Sequence, residues 1–342
     1  MELHDERKQS LVAWLATIQT LQYEAIVPML GDASFRRYFR VVTSQGSFVA
    51  MDAPPAKEDC TPFVKIACLL RQHGLHAPHV IASHVEQGFL LMTDYGDLTY
   101  LKALQTTNVD QLYGQALQAL SRLQHCHQHV ETALPRFGAA QMLQEWALHK
   151  EWFAEKWLGL SLIDIEKSLD ACYLKIVEDA LSQPQVLMHR DYHSANLMVI
   201  PEAVGILDFQ DACIGPVTYD PVSLLRDCYI DWPDARVKAW ILQYAHLLKE
   251  RHVFVSHDFS EPLFLRWFDW MGLQRHLKAL MIFSRKAIRD NEPRYLQYIP
   301  RVLAYLERIS SQYSDFEVLH AYIRQRVIPA TKRVMSSCAL SS

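Results

Sequence analysis

The chain has 342 residues with 34 Lys and Arg against 38 Asp and Glu, a formal net charge of −4, and half of its residues are hydrophobic. That length and apolar content suit about two domains, and the charge balance gives no sign of nucleic-acid binding. Seven scattered cysteines without paired spacing point to a reducing compartment; with no export signal in MELHDERKQS and no run of roughly 18 apolar residues, the expectation is a soluble cytoplasmic protein with neither a membrane nor a protein partner.

In chain order, Leu11, Trp14, Leu15 and Ile18 recur at helical spacing and predict an amphipathic helix over 5–24, packed on the outside of a small lobe. FRRYFRVVT (35–43) and SFVAMDA (47–53) are strand-like runs joined by the polar turn SQG, a hairpin. A helix over 59–73 closes at Gly74, and VIASH and GFLLMTD supply two more strands. The small lobe ends near Asp94, with DYGD (94–97) as a hinge. From Leu98 helical patterns dominate, broken only by short strands at VLM (186–188), LMVI (197–200) and VGIL (204–207). There is no internal repeat and no low-complexity segment.

Chemistry concentrates in HRDYHSANLMVIPEAVGILD (189–208), where His189, Asp191, Asn196 and Asp208 stand at the offsets of a phosphotransferase loop. Phosphoryl transfer from a nucleotide needs one carboxylate to take the acceptor's hydroxyl proton. It also needs an amide oxygen and a second carboxylate to hold Mg²⁺ on the triphosphate. Asp191, Asn196 and Asp208 fill those roles in that order. The competing reading takes His189, Asp191 and His193 as alternate residues of a strand sharing a face and binding a metal. Their spacing departs from the common zinc patterns, and neither HExxH nor CxxC accompanies them. His189 therefore reads as a brace for the loop and His193 as peripheral.

This segment resembles the aminoglycoside phosphotransferase and choline kinase superfamily, in which HxDxxxxN is the catalytic loop and the following aspartate binds metal. A closer similarity is to the bacterial anomeric amino-sugar kinases, which phosphorylate N-acetylmuramate and N-acetylglucosamine at C1 during peptidoglycan recycling. It is carried by GDASFRRYFR (31–40), MDAPPAKEDCTPF (51–63), ILDFQDACIGPVTYDPVSLLRD (206–227) and WMGLQRHLKAL (270–280). The resemblance implies an α+β, two-lobed, protein-kinase-like fold. Residues 1–94 would form a β-rich nucleotide-binding lobe and residues 95–342 a mainly helical catalytic and substrate-binding lobe. It implies ATP and Mg²⁺, with an amino sugar as acceptor. Backbone groups near Leu91, Met92 and Thr93 would meet adenine. Ser34 and the cations Arg36 and Arg37 would approach the phosphates.

The strand that ends in a phosphate-gripping lysine in many kinases reads Val49, Ala50, Met51, Asp52 here. Two arrangements stay open: Arg36 or Arg37 takes over phosphate binding, or Asp52 faces elsewhere and braces an arginine. Glu58 is an ion-pair candidate. Asp220 reads either as a brace for the catalytic loop through backbone N–H groups or as a helix cap before PVSLL. Asp211 touches substrate or metal, or is merely solvated.

Acceptor choice is assigned to the last third, where eight Lys and Arg between Arg266 and Arg301 face three acids. Such a local excess of positive charge disfavours a polycationic aminoglycoside and suits a neutral or anionic sugar. Trp267 and Trp270 are ring-stacking candidates or plain core; Arg275, His276 and Lys278 are substrate candidates or a solvated helix face. A kinase for a choline-like alcohol or an aminoglycoside, and a non-catalytic nucleotide-binding scaffold, are the alternatives. A protein-serine kinase fits less well, since DFQ stands where DFG is usual and no APE-like segment comes after it.

Overall fold

The computed structural model describes residues 5–29, 35–105, 108–126, 134–253 and 260–339. By contact they divide into two compact units, Met1–Thr107 with Ala195–Asp211, and Asn108–Ser194 with Ala212–Ser342.

The first unit begins with helix α1 (Glu6–Ala16), whose first turn is capped by the Asp5 carboxylate accepting the Lys8 N–H at 3.0 Å. Leu11, Trp14 and Leu15 of α1 bury against Phe39, Val41, Ala50, Phe89 and Leu91 of a sheet. The helix is shorter than the apolar spacing predicts. Thr17 turns the chain out of it by donating its hydroxyl to the Trp14 carbonyl at 2.7 Å, and Ile18 joins the same core from outside the helix. Just beyond the stretch expected to be helical, where no strand was expected, lies the start of the sheet. Strand β1 (Ala25–Pro28) is too short to show alternation, and it tolerates Pro28 because it lies at the sheet's edge.

The hairpin forms where the SQG turn places it, joining β2 (Arg37–Thr43) to β3 (Gly46–Asp52) with Thr43 opposite Gly46. After helix α2 (Thr61–Gln72) come β4 (Val80–His84) and β5 (Phe89–Thr93), completing an antiparallel sheet of order β1-β2-β3-β5-β4. Gly74, at φ 70°, supplies the left-handed residue that ends α2. Phe63 of α2 packs on Phe209 with ring centroids 4.7 Å apart, which fixes the segment just after Asp208 within this unit. A short helix, α3 (Tyr100–Ala103), comes after the sheet.

The second unit is mainly helical. Helices α4 (Val109–His125), α5 (Ala139–Leu148) and α6 (Glu166–Ser182) lead to strand β6 (Gln185–Met188). The hairpin β7 (Leu197–Ile200) and β8 (Ala203–Ile206) belongs to the first unit. Strand β9 (Cys213–Pro216) then pairs antiparallel with β6. Beyond it run helices α7 (Tyr219–Leu225), α8 (Asp234–Glu250), α9 (Glu261–Arg289) and α10 (Ile299–Ser310). The 29-residue α9 is buried over most of its middle, from Phe264 to Ser284, so it serves as the unit's central post. The architecture is α+β, an antiparallel sheet in one unit and a helical body in the other.

Candidate active site

In the second unit the loop leaving β6 is held from beneath by Asp220. Its two carboxylate oxygens accept the backbone N–H of His189 at 2.7 Å and of Arg190 at 2.9 Å. Burial pushes the Asp220 carboxyl up to about 7, with those two N–H donors pulling against it. Thr218 occupies the cap position of α7 and Asp220 lies inside the helix, so the geometry is that of a brace. His189 is buried, and its Nδ1 accepts the Asp191 N–H at 3.3 Å. Arg190 has φ 79°, a left-handed conformation that is costly for a residue with a side chain and that the surrounding bonds must enforce. Together these contacts present Asp191 to a cavity of about 110 Å³.

That cavity is also lined by His193, Asp227, Tyr229, Arg275 and Lys278. The Arg275 guanidinium stands 4.0 Å from the Asp191 carboxylate while its Nε donates to the Ser223 hydroxyl. Lys278 donates to the Tyr219 hydroxyl at 2.9 Å. Burial works to raise the Asp191 carboxyl, but Lys278, then His193, Arg275 and His189, hold it down at about 2. Burial likewise opposes the charge on Lys278, yet Tyr219, Asp191 and Glu145 keep its ammonium protonated, above the usual lysine range. Asp191 is thus an ionised carboxylate facing an opening, flanked by two cations.

In the first unit, Asn196 and Asp208 meet: the Asn196 amide donates to the Asp208 carboxylate at 3.3 Å, and Gln210 donates to its other oxygen at 2.7 Å. Asp208 has φ 62°, a second strained non-glycine backbone at a chemically loaded residue. An amide oxygen and an exposed carboxylate brought side by side form a hard-oxygen donor set of the kind Mg²⁺ prefers. Arg36 pairs with Glu58 at 3.0 Å, both largely sheltered. Neighbouring Tyr38 is pushed up to about 12 by burial, against the pull of Arg36 and with the field of Asp208 adding to it. Arg36, Glu58, Tyr38 and Asp208 therefore share one electrostatic neighbourhood.

Several expected contacts fall elsewhere. Arg37 is not at a phosphate position: it binds the Asp5 carboxylate at 2.5 Å and the fully buried Asp52 at 2.6 Å, and Arg7 takes the other Asp52 oxygen. Asp52 braces arginines, and since Arg36 is not one of them the two arrangements left open do not exclude each other. Leu91, Met92 and Thr93 lie in a strand flanked by β3 and β4, and the Thr93 N–H, one of the backbone groups expected near adenine, donates to the His79 carbonyl at 3.1 Å. His276 is buried, stacked on Tyr305 at 4.8 Å with Nε2 3.0 Å from the Arg226 carbonyl oxygen; burial lowers its imidazole to about 3. Trp270 packs on Phe316 at 4.6 Å. Both are interior packing residues rather than sugar contacts. Asp211 is exposed, and among the described residues it has no hydrogen bond or ion pair. Ser34 lies outside the described residues.

Two further residues shape the loop. Asp227, buried, accepts the Ser194 backbone N–H at 3.0 Å, the Ser194 hydroxyl at 2.5 Å and the Tyr229 N–H at 2.9 Å. Its place seven residues beyond Asp220 was the available signal. Tyr219, adjacent to Asp220, carries no such signal.

Among the described residues no helix is long and apolar enough to cross a membrane. Residues 25–254 match the phosphotransferase enzyme family. A protein of Pseudomonas aeruginosa named N-acetylmuramate/N-acetylglucosamine kinase is 41% identical over 317 residues, 89% of this chain and 92% of that one. Its namesake in Pseudomonas putida is 39% identical over 320 residues, 90% and 93% of the two chains. The fold is similar to that of aminoglycoside 2'-phosphotransferase-IIIa, solved as its GDP complex, with a TM-score of 0.62 at 12% identity over 90% of this chain and 99% of that one. This is the protein-kinase-like fold that the resemblance implies. The chain belongs to the phosphotransferase enzyme family.

Proposed function

We propose that this protein is an ATP-dependent kinase that phosphorylates the anomeric hydroxyl of N-acetylmuramate and N-acetylglucosamine in peptidoglycan recycling. The observation that carries the reading is Asp191, an ionised carboxylate opening on a cavity it shares with Arg275 and Lys278, in a chain about 40% identical to kinases named for those two sugars. The same two cations disfavour a polycationic aminoglycoside or a choline-like cation as acceptor.

Asp191 accepts the proton of the anomeric hydroxyl as that oxygen bonds to the γ-phosphorus. The bond from phosphorus to the β–γ bridging oxygen breaks, and ADP leaves. A carboxylate held near 2 is a weak base. It suffices because an anomeric hydroxyl is more acidic than an ordinary alcohol and because phosphoryl transfer asks little of its base until late in the reaction. Arg275 and Lys278 attract the negative charge growing on the acceptor oxygen. Asn196 and Asp208 are the residues that would hold Mg²⁺, which when bound would neutralise charge on the triphosphate. Arg36, oriented by Glu58, supplies the cation that the strand lacks at Asp52. His189 and Asp220 position the loop. The nucleotide-binding lobe, 1–94, and the catalytic and substrate-binding lobe, 95–342, belong to the same proposal.

The test monitors ATP consumption and reducing ends together, with each sugar as acceptor. Phosphate on the C1 oxygen prevents ring opening, so reducing ends disappear one for one with ATP. A phosphorylated product that keeps its reducing end overturns the anomeric assignment.

A further inference from the structure

We infer that Lys286 is the residue that recognises the lactyl carboxylate of N-acetylmuramate, an inference that rests on the sugar-kinase reading above. The two sugars differ by that group alone, an ether at the 3-position ending in a carboxylate ionised at neutral pH. A cation set apart from the reacting hydroxyl is the group that would recognise it.

The eight cations between Arg266 and Arg301 sort themselves by their partners. Arg266, Arg289 and Arg294 are ion-paired with Asp179, Asp290 and Glu292. Arg275 and Lys278 face the catalytic carboxylate. Arg301 donates to the Cys228 carbonyl at 2.9 Å. Arg285 and Lys286 are left, neither within ion-pair distance of a carboxylate among the described residues.

Helical geometry separates those two. Arg275, Lys278, Ala279, Ile282 and Phe283 of α9 line the cavity. Lys286 lies four residues past Ile282 and eleven past Arg275, which at 3.6 residues per turn puts it near the centre of that face, whereas Arg285 falls at its edge. Lys286 does not itself line the cavity, but side chains on a helix lean toward its N-terminus, so a long side chain at this position has the cavity's lining residue Ile282 on the turn it leans toward. Its ammonium lies 4.7 Å from the centre of the Tyr295 ring, and that ring stacks at 5.9 Å on the lining residue Phe283. Tyr298 closes the group against Phe283 and Tyr229. Lys286 is thus a half-buried lysine whose ammonium rests on an aromatic cluster that includes the cavity's lining residues Phe283 and Tyr229.

The spacing also suits the ligand. Lys278 and Lys286 are separated by about 12 Å along the helix axis, enough for a pyranose whose C1 hydroxyl faces Asp191 and whose lactyl arm points the other way along α9. A cation resting only on an aromatic face loses little in turning to a carboxylate, and the partly desolvated pair is favourable.

Steady-state kinetics on both sugars test this. In Lys286→Met, kcat/KM for N-acetylmuramate should fall about tenfold to a hundredfold further than kcat/KM for N-acetylglucosamine, the range of a charge-assisted hydrogen bond. Lys286→Arg should restore most of the discrimination, and Arg285→Met should show a smaller differential than Lys286→Met. Equal losses on the two sugars, no loss on either, or the larger differential in Arg285→Met overturns the assignment while leaving the kinase reading in place. Wild-type protein that phosphorylates neither sugar overturns both.

Discussion

Two carboxylates in this protein are each flanked by two cations, Asp52 by Arg7 and Arg37 in the first unit and Asp191 by Arg275 and Lys278 in the second. The difference lies in what each leaves open. Asp52 has no exposure, and both its oxygens are consumed by the two guanidinium groups, so its charge serves to tie α1 to β2 and β3. Asp191 keeps 39% of its side-chain surface exposed, and the Arg275 guanidinium stands 4.0 Å from it, with Arg275 and Lys278 held by Ser223 and Tyr219. Cations restrained by other partners lower a carboxylate's proton affinity from a distance. That keeps the carboxylate ionised at the face of a cavity, whereas direct ion pairing produces a structural joint.

The comparison breaks most sharply at Asp191 itself. Asp191→Asn removes the proton acceptor while preserving size, and turnover should fall by roughly two to four decades with the melting temperature close to wild type. Near-normal turnover would remove Asp191 from the chemistry and put it beside Asp52 as a structural group.

Lys278→Met should cost roughly two to three decades in kcat, the scale of losing one preorganised group at the reacting oxygen, and it carries a pH signature. In the wild type the Asp191 carboxyl is held at about 2, so the acid limb of kcat/KM attributable to it lies far below neutrality. Burial tends to raise this carboxyl, and Lys278 is the foremost influence lowering it. Removing Lys278 should therefore move the acid limb to higher pH. The stability term has the matching sign: a depressed carboxyl stabilises the fold above the ordinary carboxylate range and loses that contribution as pH falls toward 2. An acid limb that stays in place in Lys278→Met would show that Lys278 does not set the charge of the base.

This contrast was only half legible in the sequence. Asp191, Asn196 and Asp208 stand at fixed offsets within 18 residues, so spacing alone was enough to single them out as candidates. The partners of Asp52 could not. Arg7 and Arg37 lie 45 and 15 residues away, and no periodicity says which arginine a buried aspartate will meet. The cations of α9 show the same limit. A run with eight Lys and Arg announced an anion-friendly acceptor region, but only tertiary packing turns His276 into the interior against Tyr305 and brings Arg275 and Lys278 to Asp191. Strand β1 was lost for a different reason, since four residues give too short a pattern to separate from a loop.

At Asp52 the expected effect is on the fold. Asp52→Asn leaves Arg7 and Arg37 facing a neutral amide, and stability should drop by about 2–3 kcal/mol. That is below the full cost of orphaning a buried charge, because both guanidinium groups retain access to water. Denaturant unfolding measures the loss, and kcat on the folded protein should remain near wild type. A loss of kcat larger than the loss of folded protein would mean Asp52 reaches the chemistry.

The smallest effect separates the two neighbouring arginines. Arg37 is 39% exposed and shares Asp52 with Arg7, so Arg37→Met removes a pair whose loss water and Arg7 largely offset, and stability should fall by about 1 kcal/mol or less. Because its guanidinium is committed to Asp5 and Asp52, the KM for ATP should not change. Arg36 differs in environment rather than in kind: it is 10% exposed, paired with Glu58, and shares with Asp208 the neighbourhood of Tyr38. Arg36→Met should raise the KM for ATP severalfold while Arg37→Met leaves it alone. A raised KM in Arg37→Met with none in Arg36→Met would exchange their roles and show that the Asp52 joint opens when nucleotide binds.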